Sequence, residues 1–249
     1  KYDGNQYHQY YCVDDSLGLP DNNITHIYRD SHNRLWVATV NGVCLYQANG
    51  NFKRVSINGN NKNIEKILED KEGRIFFFTM TGLYQYDENT NRAITRLSKM
   101  VEKNCYNFSC HIDRKDVMWI VTSYSVKGYR TRDLKLIAKS PVQSYPITSF
   151  LLDGHQLYIS GYNGMQLFDT DTRKWQYLPA ALQGLQIPND MVSGIHPYGE
   201  KGNLLLSTTK HGLLYFDAQK GTILPQSDKN FPFEVPDMEV NKMLTDSKG

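Results

Sequence analysis

Apolar residues in this chain come in short runs divided by turns of Asp, Asn, Lys and Gly, and the runs recur in the same order. Asp30 to Tyr46 reads DSHNRLWVATVNGVCLY, and Asp70 to Tyr86 reads DKEGRIFFFTMTGLYQY. Aligning on the residue that closes the apolar run yields five copies, anchored at Thr39, Thr79, Thr122, Gly161 and Thr209, at spacings of 40, 43, 39 and 48. Three positions after each anchor stand Gly42, Gly82, Ser125, Gly164 and Gly212; seven after it comes an aromatic, Tyr46, Tyr86, Tyr129, Phe168 and Phe216. Three before it stand Trp36, Phe76, Trp119, Tyr158 and Leu206, and upstream lies an acidic turn at Asp30, Asp70, Asp113, Asp153 and Glu200. Matching columns at one period identify a repeat protein.

Each copy reads as four short strands. In the first they are ITHIYRD, RLWVAT, VCLY and FKRV, with Gly42 supplying the turn between the second and third. The second strand is apolar on both faces, so both are covered. A lone four-stranded sheet cannot bury two faces, but sheets stacked face to face do so and leave only short edges. The runs are too short, and too rich in aromatic and β-branched residues, for helical repeats. The expected fold is all-β, a β-propeller of four-stranded antiparallel blades over residues 1–249. Complete units fall near 24–57, 63–98, 106–138, 147–179 and 191–225, with a leading strand near 6–13 and a truncated sixth unit at 240–249.

The run GLPDNNITHIYRDSHNRLWVATVNGVCLY resembles the two-component regulator propeller repeat. Gly18, Leu19, Asn22, Ile24, Asp30, Leu35, Trp36, Thr39, Gly42 and Tyr46 fall on that family's pattern. The second copy adds Gly73 and Asp87, the fourth Asp169 and the fifth Asp217. The third departs from it at Ser125 and Arg130, and the first at Ala38. The resemblance implies part of a seven-bladed propeller in the periplasmic sensor of a hybrid two-component system. It implies a histidine kinase beyond a membrane helix, an oligosaccharide from a complex glycan as ligand, and a location in the periplasm as part of an inner-membrane protein. Membrane contact would come only through downstream segments.

Composition narrows the classes. Lys and Arg number 28 against 26 Asp and Glu, too balanced for a nucleic-acid binder. No apolar stretch approaches the roughly 18 residues of a membrane helix, and KYDGNQYHQYY has no apolar signal core. The chain is thus read as cytosolic or as a piece of a processed protein. Cys12, Cys44, Cys105 and Cys110 match no disulfide or zinc pattern. Cys105 and Cys110, five apart on a strand, face opposite sides, so no metal site is expected beside His111. The recurring Asp reads as a turn cap rather than a calcium loop, and no cofactor is expected.

Residues needed in every blade serve packing, so function belongs to what differs between copies. Loops joining strand two to three, and strand four to the next strand one, share one face of a propeller. They offer Asn23, Asn41, Asn63, Tyr124, Tyr145, Tyr162, Asn163, Lys210 and His211 as candidate ligand residues. Ring faces flanked by amides and charges suit a carbohydrate. The seven His are scattered, and neither G-x-S-x-G nor H-E-x-x-H occurs, so no catalytic residue is assigned. A carboxylate pair suited to glycoside hydrolysis, such as Asp21 with Asp190, stays as the lesser enzymatic reading. A propeller scaffold that binds proteins or forms a homodimer, with no small ligand, is the alternative to a glycan sensor.

Overall fold

A computed structural model describes residues 4–12, 17–59, 62–98, 108–140, 146–161, 164–183, 191–200 and 202–234. The first sheet runs β1 (Ile24–Arg29), β2 (Leu35–Thr39), β3 (Gly42–Tyr46), β4 (Phe52–Arg54). The second is five-stranded: β5 (Ser56–Ile57), β6 (Lys66–Glu69), β7 (Ile75–Phe78), β8 (Gly82–Asp87) and β9 (Arg92–Ser98), in the order β5-β9-β8-β7-β6. The third is β10 (Phe108–Ile112), β11 (Val117–Thr122), β12 (Val126–Arg130), β13 (Lys135–Lys139). The fourth is β14 (Ile147–Asp153), β15 (Gln156–Gly161), β16 (Gly164–Asp169), β17 (Lys174–Gln176), followed by the one-turn helix α1 (Ala180–Gln183). The fifth is β18 (Val192–Pro197), β19 (Leu204–Thr208), β20 (Leu213–Asp217), β21 (Thr222–Pro225). Each four-stranded antiparallel meander is a propeller blade.

By contacts the chain forms two compact units. One comprises Lys1–Asn104, Phe108–Ile120 and Gly128–Ile137; the other comprises Cys105–Asn107, Val121–Lys127 and Ala138–Gly249. Within the first unit, strand alternation explains why the second strands are apolar throughout. Trp36 and Ala38 of β2 join Ile75 and Phe77 of β7 in one core, while Val37 turns the other way onto Leu19, Cys44 and Phe52. Phe76 and Phe78 face on to Met118 and Ile120. In the second unit Tyr158 and Leu167 pack against Leu204, Leu206 and Phe216, with Leu178 and Leu182 closing the end.

Neighbouring sheets are also tied by hydroxyls that the period-two pattern hides. A register shift between Ile24 and His26 bulges Thr25 out of β1, and the same shift lies at Thr148 in β14 and Ser193 in β18. The bulge turns each side chain off its strand face. Thr25 Oγ1 donates to the Ile64 carbonyl, and Thr148 Oγ1 donates to the Val192 carbonyl at 2.8 Å.

The structure revises the expected boundaries in three places. Residues 4–12 form no sheet strand; Cys12 makes an isolated bridge to Leu19, and Tyr10 lays its ring on Tyr46 and Phe52 at 5.7 and 5.4 Å. The segment is held by ring packing rather than by a ladder. Ser56 and Ile57, expected to end the first unit, pair in parallel with Arg92 and Ala93 and so complete the second sheet. Asn91 secures this crossing, its Nδ2 donating to the Arg54 carbonyl at 2.9 Å. In the fifth sheet the anchor is Thr208, not Thr209, because Leu205 pairs with Tyr215 as Trp36 pairs with Leu45. Its loop holds one more residue than the others, and two adjacent threonines conceal the insertion. The truncated unit at 240–249 lies outside the described residues.

Candidate binding face on the loops after the second strands

The anchor threonine builds the loop that presents the variable residues. Thr39 is fully buried; its Oγ1 donates to the Gly42 carbonyl at 3.0 Å and accepts the Asn41 N–H at 3.2 Å. Thr79 does the same for Gly82 and Thr81, and Thr122 for Ser125. Thr208 bonds the Gly212 carbonyl at 3.1 Å and receives the His211 N–H at 2.9 Å. A buried hydroxyl used as donor and acceptor fixes the loop from beneath. Gly42, at φ 134°, is glycine for conformation, and a Cβ there would meet Pro20 at 3.4 Å. Gly82 lacks positive φ and is glycine because the Leu97 carbonyl sits where a Cβ would go.

In the first unit, three expected residues come together. The Asn23 carbonyl accepts the Val40 N–H at 3.2 Å, and the Thr39 carbonyl accepts the Ile64 N–H at 3.2 Å. Asn23, Asn41 and Asn63 therefore lie beside two neighbouring rungs, one extending the β1–β2 ladder and one joining the first sheet to the segment before β6. Asn23 and Asn41 are exposed; Asn63 is half-buried and donates from Nδ2 to Glu65 Oε1 at 2.7 Å. Beside them lies a cavity of about 380 Å³, lined by Pro20, by residues 41–43 and 54–58, and by Lys62. Its polar groups are those of Asn41, Arg54, Ser56, Asn58 and Lys62. Arg54 is held in the wall by donating to the Gly18 and Leu19 carbonyls at 3.0 and 2.7 Å.

In the second unit, Tyr124 is half-buried in the loop between β11 and β12, where the Ser123 carbonyl accepts the Ile147 N–H at 2.6 Å. Lys210 and His211 are exposed in the loop between β19 and β20. That loop is tied down by Thr209, whose N–H donates to the Met191 carbonyl at 3.1 Å. Tyr145, Tyr162 and Asn163 lie outside the described residues, as do Asn107 and Asp190.

Sequence reasoning passed over a second polar cluster on the first strands of the first unit. Lys66 Nζ lies 2.9 Å from His111 Nε2, and His26 Nδ1 accepts the Ile67 N–H at 3.1 Å. Burial, then the Lys66 charge and His26, push His111 down to about 3, so its imidazole is neutral and accepts from the ammonium. Burial also lowers Lys66, against the opposing influence of Cys110. Glu65 occupies the place that Thr25 and Thr148 take in other sheets; burial raises its pKa while the Asn63 bond opposes. A departure from hydroxyl at a bulge position was the available signal, but the bulge is invisible without the register.

The recurring acids cap turns and hold side chains. Asp30 Oδ2 accepts Trp36 Nε1–H at 2.9 Å and Arg34 Nε–H at 2.5 Å, and its Oδ1 accepts the Arg34 N–H at 2.8 Å. Burial resists ionisation of Asp30, but Trp36 and the backbone and guanidinium of Arg34 outweigh it and hold the carboxyl below the usual range. Asp70, Glu72 and Asp116 bring carboxylate oxygens within 4.8 Å of one another. Asp70 is engaged by Arg74 at 2.6 Å, and Asp116 receives the Lys71 N–H at 3.1 Å.

Residues 18–41 match the family model described as two component regulator propeller. The chain matches no curated protein sequence. Among solved structures it is similar to the extracellular domain of a protein of B. thetaiotaomicron designated a one-component system. That match has 16% identity and a TM-score of 0.57, and covers 91% of this chain and 38% of that one. The chain therefore spans well under half the length of this relative. Virginiamycin B lyase from Staphylococcus aureus is similar at 13% identity and a TM-score of 0.62, covering 86% of this chain and 73% of that one. The computationally designed Ika8 protein is similar at 10% identity and a TM-score of 0.56, covering 81% and 60%. An extracellular domain, a lyase and a designed protein on one architecture show that the fold is shared and the chemistry is not.

Proposed function

From a chain whose first repeat is a two-component regulator propeller repeat, we propose a non-enzymatic sensor domain, placed outside the cytoplasm in the periplasm. It recognises an oligosaccharide and passes the resulting change in packing to a histidine kinase of a hybrid two-component system. The observation that carries the reading is the division of labour in four of the five repeats, the fourth having Gly161 at the anchor. A buried threonine fixes the loop, and the residues it presents differ from blade to blade: Val40 and Asn41, Met80 and Thr81, Lys210 and His211. A constant frame with variable loops is how a repeat protein builds a binding face. The match of residues 18–41 to the two component regulator propeller model supports a sensor role.

Isothermal titration of the intact protein with a panel of oligosaccharides tests the reading, alongside kinase autophosphorylation. Saturable binding of one glycan, intact after incubation, with a change in autophosphorylation is the expected result. Turnover of the glycan would replace the sensor by an enzyme.

The alternative, a scaffold that dimerises or binds proteins, has its own observation. An apolar cavity of about 650 Å³ lies over the outer face of the first sheet, beside Ile27, Leu35 and Val37. Ile24 and Ile27 are 38% and 59% exposed there. Sedimentation showing concentration-dependent dimers, with no heat from any glycan, would favour the scaffold.

A further inference from the structure

The polar cavity of the first unit carries a charge signature that narrows the ligand beyond an oligosaccharide. It lies between the outer strand β4, the crossing strand β5 and the loop after β2, beneath Pro20. Its described lining holds two cationic residues, Arg54 and Lys62, and no carboxylate. Glu65, three residues beyond Lys62, is not part of the lining and is bonded by Asn63.

The walls are preset. Ser56 and Ile57 are locked into the second sheet by pairing with Arg92 and Ala93, and the Ser56 N–H donates to the Asn91 carbonyl at 3.2 Å. Asn41 is set by the Thr39 hydroxyl. The Arg54 guanidinium is fixed by two backbone carbonyls, so its charge stays at the wall whatever enters. Lys62 is exposed at the mouth, where an ammonium is fully solvated and reaches a ligand without first breaking a buried contact. Amides from Asn41 and Asn58 and the Ser56 hydroxyl supply both donors and acceptors, which suits sugar hydroxyls. A volume of about 380 Å³ fits one or two sugar rings.

We infer that this cavity binds an acidic sugar of the oligosaccharide, one bearing a carboxylate or a sulfate ester, with Lys62 pairing the anion and Asn41 and Asn58 holding the ring hydroxyls. The inference rests on the sensor reading and deepens it. Charge-assisted hydrogen bonds from a fixed pocket discriminate an anionic ligand from its neutral analogue, since only the anion offers Lys62 a counter-charge.

The experiment is titration of the intact protein with three matched probes: an oligogalacturonide, a sulfated galacto-oligosaccharide and a neutral galacto-oligosaccharide, with inorganic sulfate as the control. One acidic probe is expected to bind about tenfold or more tighter than the neutral one, weakening with salt. Lys62→Ala reduces that affinity about tenfold and removes the preference over the neutral probe, Lys62→Arg retains most of it, and Asn41→Asp weakens acidic and neutral probes alike. Both positions are exposed, and thermal unfolding of each variant at the parent temperature shows that the loss is not misfolding. Equal affinity for acidic and neutral probes, or acidic binding that ignores both substitutions, overturns the inference and leaves the sensor standing. Inorganic sulfate matching the sulfated probe also overturns it, as an anion site without sugar recognition. No binding of any probe or any other oligosaccharide overturns the inference and the sensor reading together.

Discussion

The turn between the first two strands is held in different ways by the early and late repeats. In the first three, a buried aspartate sits under the turn: Asp30, Asp70 and Asp113 are 5%, 6% and 9% exposed. Asp30 and Asp113 each accept an indole N–H, from Trp36 and from Trp119 at 2.7 Å, and Asp70 accepts the Arg74 guanidinium. In the fourth repeat Asp153 is only half-buried, in a two-residue turn carried by Gly154 at φ 62°. In the fifth, Glu200 is exposed and the buried Asn203 does the bonding, to Ala218 N–H and to the Tyr215 hydroxyl. The partners explain the difference. An indole buried at the third position before the anchor needs an acceptor, whereas Tyr158 bonds Gln156 and Leu205 needs nothing. The buried acid goes with a side-chain donor beneath the turn, an indole in the first and third repeats and the Arg74 guanidinium in the second.

The largest test of that statement is Asp113→Ala, which removes the acceptor of the buried Trp119 N–H and of two turn donors, the Lys115 and Val117 N–H groups. A loss of about 3 kcal/mol by urea unfolding is expected, and Asp153→Ala should cost less than about 1 kcal/mol. Similar losses at both positions would break the comparison.

The bulge hydroxyls predict the opposite, sameness across the two units. Thr25→Val and Thr148→Val each remove one hydrogen bond to the next sheet, and each should cost about 1 kcal/mol. A cost at only one of them would show that the bulges do not act alike.

Acid separates the units further. His111 in the folded first unit titrates at about 3, against about 6.5 for an unperturbed histidine. Between those values the unfolded chain binds more protons, so stability falls as pH drops from about 6.5 to about 3. Asp30, depressed below 3.8, retains its contribution above that value and loses it as pH falls through its lower folded value. His196 of the second unit is lowered by burial and loses stability in the same direction. Urea midpoints measured across this range should slope less in His111→Gln than in the parent.

The smallest effect leaves stability untouched. Burial raises the Cys44 thiol to about 12, while Cys12 is exposed. Native iodoacetamide treatment should label Cys12 and spare Cys44.

Much of the fold was legible because packing repeats. Trp36, the anchor threonines and Gly42 mark each blade, and two-faced apolar strands demand stacked sheets. What escaped were features that period-two alternation cannot encode. A bulge at Thr25 adds a residue without changing which residues are apolar, and the parallel pairing of Ser56 and Ile57 depends on a partner 36 residues on. The shift to Thr208 escaped because Thr209 satisfies the same letter. Asn23, Asn41 and Asn63 were singled out from their place in variable loops, and the structure sets them beside neighbouring rungs. Lys62 and Ser56 were not, because their part in the cavity comes from the crossing strand. Lys66 and His111 were passed over because they lie 45 residues apart and meet only through neighbouring first strands.

The central claim is that the threonine frame, shared by four of the five repeats, holds the loops and that the residues it presents do the recognising. Oligosaccharide titration of the intact protein carrying Asn41→Ala and, separately, Asp113→Asn tests it most directly. The account predicts that Asn41→Ala weakens binding about tenfold at unchanged stability, and that Asp113→Asn lowers stability at unchanged affinity. Unchanged affinity in Asn41→Ala, with affinity lost in a folded Asp113→Asn, would contradict it.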